Sequence, residues 1–387
     1  MIFLVSPSAH YPSHNWPNTV ALARALGRQG QEVHIVVFSL AAEAIPADLR
    51  GRVTMVYERL PSAWRRVAAG CWETGRFGGM RSFWESWTCL FRVLRLSRPQ
   101  RGATLHFIGG SRWLVIGATL LFRRRFVYSF YGGLLSGPVT GAQAVFRKFL
   151  KWFLHRAVST NRLDFICENE FLREQISAHV GPHVRLIPYA IDDGETPVPQ
   201  AEARRRLGLP PEEKILLFFG THRRGKDYVT PLKGCLTLPS PPLALFVGKV
   251  ISDNDPAQVV AACGYPNAKI VSEFVSDEMM KYYFAAADAL VLPYEAGFAR
   301  GSGVLIECCG YFRPMIASAT PYFSTFLARY ACGVTYTPSD SASFAAAAQR
   351  LLADTSVFRD ALERARHDHS WISAAGKYLE LYESGKA

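Results

Sequence analysis

The sequence predicts an α/β protein built from two doubly wound halves. Three observations carry this. Short, continuously apolar runs recur along the chain with helical spacing between them. The length, 387 residues, exceeds what one hydrophobic core organises well. A turn-rich stretch, Ile191-Asp192-Asp193-Gly194-Glu195-Thr196-Pro197-Val198-Pro199, interrupts the alternation midway, and the same alternation then restarts.

Ile2-Phe3-Leu4-Val5 is apolar without alternation, as a strand buried on both faces requires. A polar loop is expected from Ser6 to Asn18. Val20, Leu22, Ala23 and Leu26 then recur at helical spacing until Gly27 and Gly30 stop them, and Val33 to Phe38 forms the next strand. This is one βαβ unit with a right-handed crossover. Further strands are expected at Val53–Tyr57, Thr104–Ile108, Phe126–Phe130, Asp164–Cys167 and Val184–Ile187, with helices between. After the boundary, Ala201 to Leu207 reads as a short basic helix. A second series follows at Ile215–Phe219, Ala244–Val247, Ala268–Val271, Ala289–Leu292 and Met315–Ala317, and a helix from Trp371 to Tyr382 closes the chain. The expected domains are residues 1–193, residues 194–368, and a C-terminal helix at 369–387 that packs back toward the first domain.

Composition narrows the class. Hydrophobic residues make up 49% and charged residues 20%, which fits neither a disordered nor a fibrous chain. The net charge of +12 is uneven: residues 1–193 hold 24 Lys/Arg against 12 Asp/Glu, and residues 194–387 hold 20 of each. An anionic surface should therefore meet the first half. The eight cysteines form no CxxC pair and no zinc-ligand spacing, so buried reduced thiols in a cytoplasmic protein are expected. Met1-Ile2-Phe3-Leu4-Val5 reads as a strand and not as a basic leader, and the longest apolar run, Trp113 to Phe122, is half the length a bilayer span needs.

Phe219-Gly220-Thr221-His222-Arg223-Arg224-Gly225-Lys226 sets two cations three residues apart, Arg223 and Lys226, at the end of a strand. Cations there suit a leaving group that gains negative charge, since they act most strongly in the transition state. Arg grips a phosphate through two N–H groups, whereas Lys acts as a point charge. Gly301-Ser302-Gly303-Val304 opens a helix whose first N–H groups make an anion site. Either feature alone is common: solvated loop cations and an ordinary turn are the plain alternatives. Asp253-Asn254-Asp255, just before Pro256, spells a DxD triplet but stands where helix N-caps stand, so no metal and no cofactor are expected.

With Glu273-Phe274-Val275-Ser276-Asp277-Glu278, Tyr282 to Pro293, and Gly301 to Glu307 followed by Arg313-Pro314-Met315, these blocks resemble the donor domain of GT-B glycosyltransferases, above all the retaining family 4. The resemblance covers about residues 215–320; the first 190 residues are similar only as an architecture. It implies two Rossmann-like domains facing across a cleft, and transfer of a hexose from a UDP- or GDP-sugar to a glycan or lipid-linked acceptor. It implies donor contacts at Gly220, Phe274, Val275, Gly301, Ser302, Gly303, Val304 and Glu307, the last on the ribose, with Arg223 and Lys226 on the diphosphate. The family's first Glu position is occupied here by Ala299, and Glu295, four residues earlier, is the substitute carboxylate. Candidate acceptor contacts are His10, His14, Asn15 and Tyr131. Three other functions remain open: an inverting transferase with His10 or His14 as base, an epimerase of the same architecture, and a non-catalytic partner subunit that binds nucleotide or lipid.

The first half adds a second signal. Residues 64–101 hold eight arginines, two glutamates and seven Trp/Phe. Between residues 143 and 157, Val145, Phe146, Phe149, Leu150, Trp152 and Phe153 are expected on one helix side and Arg147, Lys148, Lys151 and His155 on the other. This reads either as a packed helix with a solvated basic face or as contact with an anionic membrane surface at the inner leaflet; no nucleic-acid module is readable.

Overall fold

The computed structural model describes residues 1–7, 9, 15–57, 78–100, 102–109, 112–129, 141–181, 183–191, 198–298 and 301–384. The chain divides into two units, one of Met1–Pro188 with the chain from Trp371 onward, the other of Tyr189–Ser370.

The first unit holds β1 (Ile2–Ser6), α1 (Asn15–Arg28), β2 (Val33–Val37), β3 (Val53–Met55), α2 (Gly78–Ser97), β4 (Thr104–Ile108), α3 (Arg112–Leu121), β5 (Phe126–Ser129), α4 (Ala142–Ser159), β6 (Leu163–Cys167), α5 (Glu170–Val180) and β7 (Val184–Leu186). Its strands form one sheet in the order β3-β2-β1-β4-β5-β6-β7, and every pairing is parallel. Phe3, Val5, Leu105, Phe107, Phe126, Tyr128 and Phe165 lie in its core.

The second unit holds α6 (Gln200–Leu207), β8 (Ile215–Phe219), α7 (Val229–Leu236), β9 (Leu243–Val247), α8 (Pro256–Cys263), β10 (Ala268–Val271), α9 (Asp277–Ala286), β11 (Ala289–Leu292), α10 (Gly303–Gly310), β12 (Met315–Ser318), α11 (Pro321–Tyr330), β13 (Gly333–Tyr336), α12 (Ser341–Ala353) and α13 (Arg359–Asp368). Its parallel sheet runs β10-β9-β8-β11-β12-β13. Alternation along β8 sends Leu217 to one hydrophobic cluster and Leu216 and Phe218 to another on the opposite face. Both faces are covered, which is why these strands read as unbroken apolar runs. A last helix, α14 (Trp371–Glu383), belongs to the first unit. There His106 Nδ1 lies 2.7 Å from the Tyr382 hydroxyl and Nε2 lies 2.7 Å from Ser129 Oγ.

Three expectations need correction. α1 begins at Asn15, inside the segment expected to be a loop, because Pro17 is tolerated in a first helical turn. β13 was not expected: its four residues include a glycine and an exposed Thr335, too little apolar sequence to announce an edge strand. On α4 the buried face is Leu150, Leu154, Ala157 and Val158, whereas Val145, Phe149 and Trp152, expected on the apolar side, are exposed among the cations. Among the described residues no helix is long and apolar enough to cross a membrane.

Candidate functional site

In the second sheet β8 and β11 are neighbours without being consecutive, so the strand succession reverses between them. Open parallel sheets hold ligands beyond the carboxyl ends of strands at such a reversal. Two segments leave from there. One follows β8 and runs from Gly220 to Lys226; the other follows β11 from Pro293 and returns as α10.

Glycine lets these segments meet. Gly220 has φ +88°, and a Cβ there would stand 3.5 Å from Val304 Cγ2 and 3.8 Å from Lys226 Nζ. At the end of β9, Gly248 has φ +144°, and a Cβ would come within 2.3 Å of the Gly220 carbonyl oxygen. No other residue fits that approach without displacing the backbone.

Lys226 is 7% exposed. Its Nζ donates to the Phe219 carbonyl at 3.0 Å and stands 5.9 Å from the Tyr294 ring centroid. Burial, and after it the charge of Arg223, pull its pKa from 10.5 down to about 7. Arg223 is half-buried. The two segments are also joined through their backbones: Lys226 bridges Tyr294, and the Glu295 N–H donates to the Gly225 carbonyl at 3.1 Å. Ser302 is buried at the N-cap of α10, where its side chain makes no capping bond; its Oγ lies 3.5 Å from the Tyr294 hydroxyl instead. The first amides of α10 thus have no side-chain cap from Ser302, next to a buried ammonium.

The structure therefore gathers Gly220, Lys226, Ser302, Gly303 and Val304 beyond the carboxyl ends of the two central strands, with Arg223 and Gly301 on the same segments. Glu307 stands half-buried on the second turn of α10, and the Glu295 side chain is exposed. Phe274 is 74% exposed between β10 and α9, while Val275 packs on the core of the unit. Asn15 opens α1, with its side chain outside the described residues, as are His10, His14, Tyr131 and Ala299.

The Asp253-Asn254-Asp255 triplet has three separate tasks. Asp255 caps α8, accepting from Ala257 N–H at 3.0 Å, as expected. Asp253 takes both ends of the Arg224 guanidinium, at 2.8 and 2.7 Å. Asn254 Nδ2 donates to the carbonyls of Arg223 and Lys226, at 3.0 and 2.8 Å, and so clamps the cation loop. Among the described residues no group of three or more His, Cys, Asp or Glu is placed to hold a metal.

Sequence reasoning missed Asn254, Tyr294 and His222. His222 is fully buried, with Nδ1 2.6 Å from the Tyr228 hydroxyl. Burial, and after it Lys226, lower its pKa to about 4, so it is a neutral post for the loop. Only its place between Gly220 and Arg223 hinted at a role.

The family model described as glycosyl transferases group 1 matches residues 199–368. A D-inositol 3-phosphate glycosyltransferase from Salinispora arenicola is 26% identical over 232 residues, covering 52% of this chain and 48% of the relative. The chain thus spans about half the length of that curated relative. Among solved structures, a sucrose-phosphate synthase from Thermosynechococcus elongatus superposes with a TM-score of 0.72 at 19% identity, covering 99% of this chain and 98% of that one. Anabaena HepE in complex with UDP superposes with a TM-score of 0.69 at 13% identity, covering 99% and 100%. At these identities the structures establish the fold, which is that of the GT-B proteins.

Proposed function

We propose that this chain, a GT-B protein carrying a group 1 glycosyl transferase domain over residues 199–368, is a retaining glycosyltransferase that takes a hexose from a UDP- or GDP-sugar. The observation that supports this most is the convergence of the buried Lys226 ammonium, the Arg223 loop and the first amides of α10 at the strand reversal.

In this reading the diphosphate lies against those groups. The bond from the anomeric carbon to the diphosphate oxygen breaks, and the electron pair stays on the phosphate. Arg223, Lys226 and the amides of Gly301–Gly303 stabilise the charge that develops there. The acceptor hydroxyl bonds to the same face of the sugar, and its proton goes to the departing phosphate. Glu307 holds the ribose, Phe274 and Val275 meet the base through their backbone, and Glu295 faces the sugar. No metal takes part, since Arg223 and Lys226 supply the positive charge. Anabaena HepE, similar in fold, is known with UDP and with UDP-glucose, which favours a uridine donor here. The acceptor is a glycan or a lipid-linked sugar of a cell-surface polysaccharide or glycolipid, met by the basic first unit at the inner face of the cytoplasmic membrane. His10, His14, Asn15 and Tyr131 are its proposed contacts.

A donor-hydrolysis and transfer assay with the purified chain tests this. Arg223→Ala and Lys226→Ala should each cost about 2–4 kcal/mol in kcat/KM, as the loss of one oxyanion donor does. Wild-type rates in both variants would end the assignment.

A further inference from the structure

The exposed apolar side chains of the first unit are not scattered. On α4, Val145, Phe149 and Trp152 are 69%, 50% and 63% exposed and follow one another at i, i+4 and i+7. The spacing makes a single outward stripe, opposite the buried face. The stripe continues inward as a chain of rings. From Phe83 on α2 to Trp113 on α3, then Phe146, Phe149 and Trp152 on α4, successive centroids lie 5.3, 5.9, 6.5 and 6.1 Å apart. The outer rings are thus backed by rings from two neighbouring helices and present a firm surface.

The charge along α4 has one sign. Residues 142–159 contain Arg147, Lys148, Lys151 and Arg156 and no Asp or Glu. Lys148 and Arg156 are exposed and stand beside Phe149 and Trp152 at helical spacing. We propose that this face of α4 is the membrane-contact surface of the protein, with Val145, Phe149 and Trp152 at the headgroup level of an anionic bilayer and Lys148 and Arg156 on its phosphates. This deepens the membrane reading given above and does not depend on the sugar-transfer chemistry.

The charge decides among occupants. A second copy docking through the same patch would set these cations against themselves. A nucleic acid would use the cations and the rings but leaves the aliphatic Val145 unexplained. An anionic bilayer accepts both at once: rings and aliphatic groups enter the interface, and cations meet lipid phosphates.

Co-sedimentation of the full chain with vesicles tests the proposal. Wild type should bind vesicles containing phosphatidylglycerol, bind pure phosphatidylcholine weakly, and release as salt rises. F149S/W152S should lose about tenfold or more in partition, and K148E/R156E about tenfold or more. All of these positions are exposed, so unchanged melting curves are expected and serve as the folding control. Variants that partition like wild type would overturn the surface while leaving membrane binding intact. Equal binding to both vesicle types, no binding at all, or a wild-type dimer abolished in F149S/W152S would overturn the proposal outright. Melting shifts with UDP, read in the same samples without vesicles, report separately on the donor site.

Discussion

At the residue scale Lys226 is the most consequential group, because its environment sets its charge. Its pKa in the folded chain is about 7, against an ordinary 10.5. Between those values the unfolded chain holds a proton that the folded chain does not. Its contribution to stability therefore rises with pH across that window and is smallest below it. A diphosphate beside Nζ reverses the balance and draws the proton back. Binding of UDP above pH 7 should thus take up a proton and weaken as pH rises. Calorimetry in buffers of different ionisation enthalpy measures the uptake, and Lys226→Arg should abolish it. Asn254 makes a different prediction. Asn254→Ala removes two hydrogen bonds that hold the loop and should lower kcat/KM about tenfold, on the order of one to two such bonds. Asn254→Asp should do worse, since a carboxylate would face two carbonyls. The pairing of Arg223 and Lys226 after a strand could be read from their spacing, and their proposed role came from the resemblance. Asn254 could not be read this way, because an Asx residue before a Pro at a helix start carries the same signature whether it caps or clamps.

At the element scale α14 ties the end of the chain to the first sheet. Trp371, Ala375, Tyr378, Leu381 and Tyr382 are buried, and Tyr382 meets His106. Ending the chain at Ser370 should cost the first unit about 5 kcal/mol or more, read as a lowered denaturant midpoint for that unit. Tyr382→Phe should cost about 1–2 kcal/mol, the loss of one buried hydrogen bond. Burial lowers the His106 pKa to about 3 and, with help from Lys226, that of His222 to about 4. Unfolding lets both protonate near 6.5, so their contribution is present above that value and is lost as pH falls toward 4. Melting points should drop through this range, and less so in His106→Asn. Strands buried on both faces were readable, since nothing but a continuous apolar run satisfies two covered faces. The sequence left the apolar side of α4 open between a packed face and a membrane-facing one. Periodicity shows that apolar residues share a face but not that the face has a neighbour, and here a different face was buried.

At the scale of the whole molecule the two units have different electrostatic tasks. Residues 1–193 carry the net charge of +12 and residues 194–387 balance at zero, so raising salt should weaken vesicle binding far more than UDP binding. A melting screen of UDP, GDP, ADP and dTDP should single out one nucleotide. At one hundred times its Kd it should stabilise the chain by about 2.7 kcal/mol. No shift with any of them would favour the non-catalytic alternative.

The sequence by itself determined the two doubly wound sheets, the strand that ends at Phe219 just before Gly220, and the two cations after it. Each of these depends on local chemistry: apolar runs, glycine where a backbone must bend, and charge at a fixed spacing. Tertiary structure alone decided which residues surround those cations and which helix face is left bare. The distance between Lys226 and Tyr294, the reach of Asn254 across to the loop, and the exposure of Trp152 all depend on segments far apart in the chain. Only packing fixes those separations.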